Sequence, residues 1–288
     1  MEAWGSNVGG SIAVVTTVAE IQGVLERLAP SSKAAGWDPV GLQIGDSAAA
    51  VSRIGVCHEV TAAIVERVLD DEIDLLISYH PLLFRPTLRL VAGPGAAGRA
   101  LALARAGVSL LVAHTAFDVA SGGTADALAD ALGLIDPTPF EPLWGSESDH
   151  PYEEPEFGVY ERQGESGFLG RVGTFAGSFA ELVGTVQAVL GGPARVSGSP
   201  HGDTLRVGVV PGSGASAIPA AAGTGADVLV TGDIKHHDAR AAAELGVAVI
   251  DPGHAATESP GVARLYAAVA GEAETVIDLT DIDADPWA

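Results

Sequence analysis

Apolar residues recur at three- and four-residue intervals from Val18 through Ile21, Val24, Leu25 and Leu28, a period that predicts an amphipathic helix. Thr17 and Glu20 have the spacing of a capping box at its start, and Pro30 stops it. Short unbroken apolar runs then alternate with helical patterns. Arg53 to Cys57, Asp74 to Ser78 and Val108 to Ala113 read as strands, with helices at about 61–69, 97–106 and 122–132. Gly167 to Phe175 reads as a strand and Phe179 to Leu190 as a helix. Strands follow at Leu205 to Val210, Asp227 to Thr231 and Val247 to Ile250, each leading into a helix, and Val276 to Leu279 reads as a last strand. Such alternation implies sheets covered by helices. The second half repeats the rhythm of the first, so the expected fold is α/β, with two related halves facing one another at 1–135 and 167–288. Residues 136–166, rich in proline and acidic side chains, read as a surface excursion or linker.

Composition narrows the function classes. Of 288 residues, 47% are hydrophobic and 18% charged, which excludes global disorder. A formal net charge of −22 repels phosphate backbones and anionic membranes, so a nucleic-acid-coating or membrane-surface role is disfavoured. The single cysteine, Cys57, allows no internal disulfide and no cysteine-based zinc cluster, and a cytoplasmic location is expected. Met1 to Thr16 lacks the basic start of a signal peptide. The uncharged stretch from Val207 to Ala226 is broken by Pro211, Pro219 and several glycines, so it reads as strand, loop and helix rather than a membrane span.

The chemistry gathers where strands end. His80, His114, His236, His237, His254 and His58 all stand at or near such positions, where open α/β sheets bind ligands. His114/Asp118 and His254/Glu258 are both i,i+4 pairs, which lie on one face of a helix. An imidazole and a carboxylate aimed at one point suit a divalent transition metal such as Zn, Mn or Fe, and His80 and His237 are further nitrogen donors. The inventory suffices for one or two ions per chain. His58 has no carboxylate at a useful spacing and reads as structural. Gly212-Ser-Gly214 reads either as a tight turn or as an anion-holding loop. Asp233 and Asp238 read as helix caps or as support for the cluster. Lys235 is the only lysine near it.

Five segments then resemble a known family. Gly36-Trp-Asp-Pro-Val-Gly-Leu-Gln-Ile-Gly45, Ile77-Ser-Tyr-His-Pro-Leu-Leu-Phe84, Ala113-His-Thr-Ala-Phe-Asp118, Gly232-Asp-Ile-Lys-His-His-Asp238 and Asp251-Pro-Gly-His-Ala-Ala-Thr-Glu258 are similar, in order, to motifs of the GTP cyclohydrolase I type 2 family, also called NIF-three-like. The resemblance implies two α/β halves across a metal-containing cleft and a homohexamer built from dimers. As metal ligands it implies His80, Asp118, His254 and Glu258, with Glu258 bridging two ions. His114 and His237 match polar positions around that site and are expected either to support the ligands or to be catalytic. The sequence departs from the family twice. Tyr79 stands where the first of two adjacent histidines is usual, so Tyr79 is expected either to complete the metal shell or to leave one ion weakly held. Ala116 stands where the family has asparagine. The expected activity is hydrolysis of a small molecule, with a nucleotide such as GTP as the first candidate. The alternative is a non-catalytic, metal-containing oligomeric scaffold that binds a nucleotide or a protein partner.

Overall fold

The computed structural model describes residues 16–142, 167–282 and 285–287. From the first described residue, β1 (Thr16–Thr17) leads into α1 (Val18–Leu28). The capping box forms as the spacing requires: Glu20 N–H donates to Thr17 Oγ1 at 3.3 Å and Thr17 N–H donates to Glu20 Oε2 at 2.8 Å. There follow β2 (Gly41–Ile44), β3 (Ala50–Val51), β4 (Arg53–Cys57), α2 (Ala62–Asp70), β5 (Leu75–Ser78), α3 (Ala96–Ala106), β6 (Ser109–Val112), α4 (His114–Val119) and α5 (Thr124–Ala131). The second half runs through β7 (Ile135–Pro142), β8 (Phe168–Phe175), α6 (Phe179–Leu190), β9 (Arg195–Ser197), β10 (Leu205–Ser213), α7 (Ile218–Gly223), β11 (Val228–Gly232), α8 (His236–Glu244), β12 (Ala248–Asp251), α9 (His254–Val269) and β13 (Thr275–Asp278).

Two mixed sheets organise these elements. One has the order β13-β4-β5-β6-β2, the other β7-β8-β10-β11-β12-β9. In the first, β13, β4, β5 and β6 run parallel; in the second, β10, β11 and β12 do. Parallel strands covered on both faces read as continuous apolar runs, and every residue of β5, β6, β11 and β12 is buried. The first sheet packs α1 and α9 on one face, through Ile21, Leu25, Leu265 and Val269, and α2 and α3 on the other, through Ile64, Val68 and Leu103. The second packs α5 and α6 on one face and α7 and α8 on the other. Each fully buried Leu or Ile side chain contributes roughly 1.5–3 kcal/mol by leaving water.

Helix α9 joins the halves, packing Val262, Leu265 and Val269 into the core of the first sheet while touching β10 and β11 of the second. Gly261 lets it approach α5, since a Cβ there would lie 2.7 Å from Thr124 Cα. Pro260 inside α9 has no N–H for the Ala256 carbonyl, and Ser259 Oγ donates to that carbonyl at 3.0 Å instead.

Two boundaries differ from the sequence reading. Residues 136–142, assigned to the excursion, belong to β7, which pairs antiparallel with β8 at the sheet edge; an edge strand tolerates Pro137 and Pro139, which donate no ladder hydrogen bond. The rest of that segment, 143–166, lies outside the described residues. β13, placed in the second half by its position in the chain, instead extends the first sheet beside β4. No helix among the described residues is long and apolar enough to cross a membrane.

Candidate metal centre

The parallel strands of both sheets deliver polar residues from their C-terminal ends, and the two sets meet. His58 follows β4, Tyr79 and His80 follow β5, and α4 after β6 carries His114 and Asp118. From the other half, Gly212 is next to last in β10, Asp233 follows β11, and α9 after β12 carries His254 and Glu258. The strand ladder continues past β5: Tyr79 N–H donates to the Cys57 carbonyl at 3.0 Å and His80 N–H to the His58 carbonyl at 2.9 Å. These bonds hold the three rings in register.

Glu258 is the hub. It is 4% exposed, and its Oε2 lies 2.7 Å from His58 Nε2 and 3.1 Å from His80 Nε2. Its Oε1 lies 3.0 Å from His254 Nε2, one helical turn back, and 3.5 Å from the Tyr79 hydroxyl. The Tyr79 hydroxyl also donates a short hydrogen bond to Asp118 Oδ1. One donor atom from each of His58, His80 and Glu258 lies within 4.8 Å of the others.

Burial and charge set the protonation states. Burial alone would raise the Glu258 carboxyl, but His254, His58 and His80 outweigh it and hold the group well below the usual carboxylate range. Burial lowers His80, which keeps its imidazole neutral and able to coordinate. For His254, burial is outweighed by Glu258 and Asp233, and its pKa is pushed up to about 9. Asp118 rises to about 6, chiefly through burial, with His114 pulling it down and Glu258 pushing it up. Burial, then Asp118 and Glu258, push the Tyr79 phenol well above its ordinary value.

Carboxylates outside this core orient two of the imidazoles. His254 Nδ1 lies 2.7 Å from Asp233 Oδ2, leaving Nε2 directed inward; that Nε2 is buried and has no aligned hydrogen-bond partner. His114 Nδ1 lies 2.9 Å from Asp38 Oδ2, which also accepts from Thr115 N–H at 3.0 Å. A carboxylate behind a histidine fixes its tautomer and raises its basicity as a metal ligand. His114 and Asp233 adopt φ of +33° and +58°, strained for residues with side chains. The buried His254 Nε2 facing Glu258 without an aligned hydrogen bond, the ionised Glu258 carboxylate between imidazoles and the nitrogen–oxygen donor set together fit a divalent transition metal. A cavity of about 460 Å³ opens beside the cluster, lined by His58, His80, His114, His254, Phe84 and Trp287 among others.

The structure thus brings together His80, His254 and Glu258, links Asp118 to them through Tyr79, and puts His114 on the cavity wall. His237 does not join them. It is exposed on the first turn of α8, its ring 5.2 Å from that of His236, and it does not line the cavity. Both histidines are exposed at the start of α8, a direction that adjacency in sequence does not reveal. His58, read as structural, contacts the hub; its carboxylate is 200 positions away, so no local spacing could announce it. Its place directly after a strand, as with Tyr79 beside His80, was the available signal. Asp38 was likewise missed as the partner of His114. Gly212 does not present an anion cradle, because its N–H donates to Thr257 Oγ1 at 2.8 Å. Lys235 lines a separate, smaller cavity together with His236 and Asp251.

Residues 16–286 match the model of Duf34/NIF3 (NGG1p interacting factor 3). A GTP cyclohydrolase 1 type 2 homolog of Nostoc sp. is 34% identical over 220 residues, covering 74% of this chain and 76% of that protein. One from Streptomyces coelicolor is 32% identical over 254 residues, covering 84% and 82%. Among solved structures, a Bacillus cereus protein related to NIF3 superposes with a TM-score of 0.78 at 25% identity, covering 95% of this chain and 99% of that one. Reduced HcgD from Methanocaldococcus jannaschii superposes with a TM-score of 0.75 at 27% identity, covering 92% and 98%. The α/β architecture is therefore that of a shared fold, and the chain belongs to the Duf34/NIF3 family.

Proposed function

We propose that the protein is a metal-dependent hydrolase acting on a small molecule from the cavity beside Glu258. The observation that carries this reading is the placement of Glu258, whose two oxygens face imidazoles from opposite halves of the chain at 2.7–3.1 Å. One or two divalent ions (Zn, Mn or Fe) would be held by His80, His254 and Glu258, with Asp118 and His58 adjoining. Such ions lower the pKa of water and polarise a substrate oxygen. His114, raised above the ordinary histidine value because Asp38 outweighs its burial, stands on the cavity wall as the group that moves a proton. His237, exposed and away from the wall, is not assigned a role in proton transfer.

The relatives' name points to hydrolytic opening of the purine imidazole ring of GTP. Two features support a nucleotide-sized substrate: a cavity of about 460 Å³, within the usual range for ligand sites, and the aromatic residues Phe84 and Trp287 among those lining it. The working form is a homo-oligomer, a hexamer by the resemblance, in the cytoplasm. The second reading, a non-catalytic metal-containing scaffold, is favoured by one observation: the Tyr79 hydroxyl occupies Asp118 Oδ1. Purified protein loaded with Zn, Mn or Fe and assayed for GTP consumption and phosphoester hydrolysis separates them. Turnover that disappears in Glu258→Ala supports the hydrolase; stoichiometric metal with no turnover above that variant supports the scaffold.

A further inference from the structure

The ends of β4 and β5 lie side by side, Cys57 opposite Ser78, so His58 and Tyr79 occupy the next rung of the same parallel ladder. Their side chains leave the sheet together, and the rings stack with centroids 5.6 Å apart at an angle of 12°. Either position can therefore deliver a ring to the same side of Glu258. The two rings nevertheless differ in what they reach. His58 Nε2 lies 2.7 Å from Glu258 Oε2, and His80 Nε2 lies 3.1 Å from the same oxygen. The Tyr79 hydroxyl instead donates to Asp118 Oδ1 and stands 3.5 Å from Glu258 Oε1.

We propose that His58, and not Tyr79, is a metal ligand of this chain, completing a site of two imidazoles and one carboxylate with His80 and Glu258. The proposal rests on the reading of the cluster as a metal centre. Nitrogen from His58 and His80 and one Glu258 oxygen form a three-donor set of the kind that would hold Zn or Fe, and both histidines line the cavity. Tyr79 serves as a positioning residue. Its O–H holds the Asp118 carboxylate, and its ring, fully buried, backs the His58 imidazole. The imidazole expected at position 79 has in effect moved one strand over, with the phenol filling the space it left.

The test uses full-length protein dialysed against Zn²⁺, with bound metal counted by mass spectrometry and affinity measured by chelator competition. Losing a direct ligand costs more than the roughly 10–100-fold of losing a residue behind one. His58→Ala is therefore expected to lose one ion equivalent, or to weaken it by about 100-fold or more. Tyr79→Phe is expected to keep both content and affinity within about tenfold. The exchange variant His58→Ala/Tyr79→His is expected to regain the ion. Should His58→Ala fail to fold, His58→Phe keeps the ring against Tyr79 without the nitrogen, and is expected to show the same loss. Wild-type affinity in the folded His58 variants overturns the proposal, as does a Tyr79→Phe loss equal to theirs. An exchange variant that stays empty overturns the equivalence of the two positions. Wild type that takes up no Zn²⁺ overturns the metal reading itself, and the proposal with it.

Discussion

Asp233 Oδ2 lies 2.7 Å from His254 Nδ1, so the carboxylate after β11 fixes the imidazole that opens α9. With Nδ1 held, only Nε2 is left to face Glu258. Asp233→Asn is expected to weaken divalent-metal binding by about 10–100-fold while leaving thermal stability nearly unchanged, because the pair is half exposed. Chelator competition and a thermal melt on the same sample check both parts.

Glu258, and after it Asp233, outweigh the burial of His254 and give its titration a pH dependence. In the metal-stripped protein His254 is raised from 6.5 to about 9, so the folded state holds its proton more tightly than the unfolded chain does. The stabilisation is complete below pH 6.5 and is lost as pH rises toward 9. His114 is shifted in the same direction and adds to the slope. The Tm of stripped protein is therefore expected to fall between pH 6.5 and 9, and to fall less in His254→Asn. Metal affinity is expected to rise over the same interval as the competing proton leaves. A melting temperature that climbs through this range would contradict the assignment.

Gly212 bounds the centre from the second half. Its φ is +66°, and a Cβ there would lie 2.5 Å from Glu258 Oε1 and 3.2 Å from His254 Nε2. Gly212→Ala is expected to displace the Glu258 carboxylate, abolishing stoichiometric metal and costing about 1–3 kcal/mol of stability through backbone strain. Metal content together with urea unfolding measures this. Gly184→Ala, on the open side of α6, serves as the control without effect on metal.

Arg171 on β8 is buried and pairs with Asp126 on α5, donating also to the Phe168 and Gly170 carbonyls at 3.0 Å each. Removing the carboxylate leaves the buried guanidinium with neutral acceptors alone. Asp126→Ala is expected to cost about 3 kcal/mol. Asp126→Leu/Arg171→Met, which removes both charges, is expected to cost less than that single change, as read from urea midpoints at unchanged slope.

Much was legible in the chain itself. The helical period from Val18 to Leu28, its Thr17/Glu20 cap and the apolar runs at 75–77 and 228–230 specify their elements locally, through backbone sterics and burial on one or both faces. The i,i+4 pairing of His254 with Glu258 was equally readable, because a helix places those positions together whatever surrounds it. What lay beyond sequence were relationships between strands. Only the parallel register of β4 and β5 puts His58 against Tyr79, and only the passage of α9 between the halves carries Glu258 to His58 across 200 positions. The orientation of His237 away from the cavity and the return of β13 to the first sheet belong to the same class. Local pattern fixes which side chains leave a strand end; which of them meet depends on sheet order and helix packing, set by burial summed over the whole core.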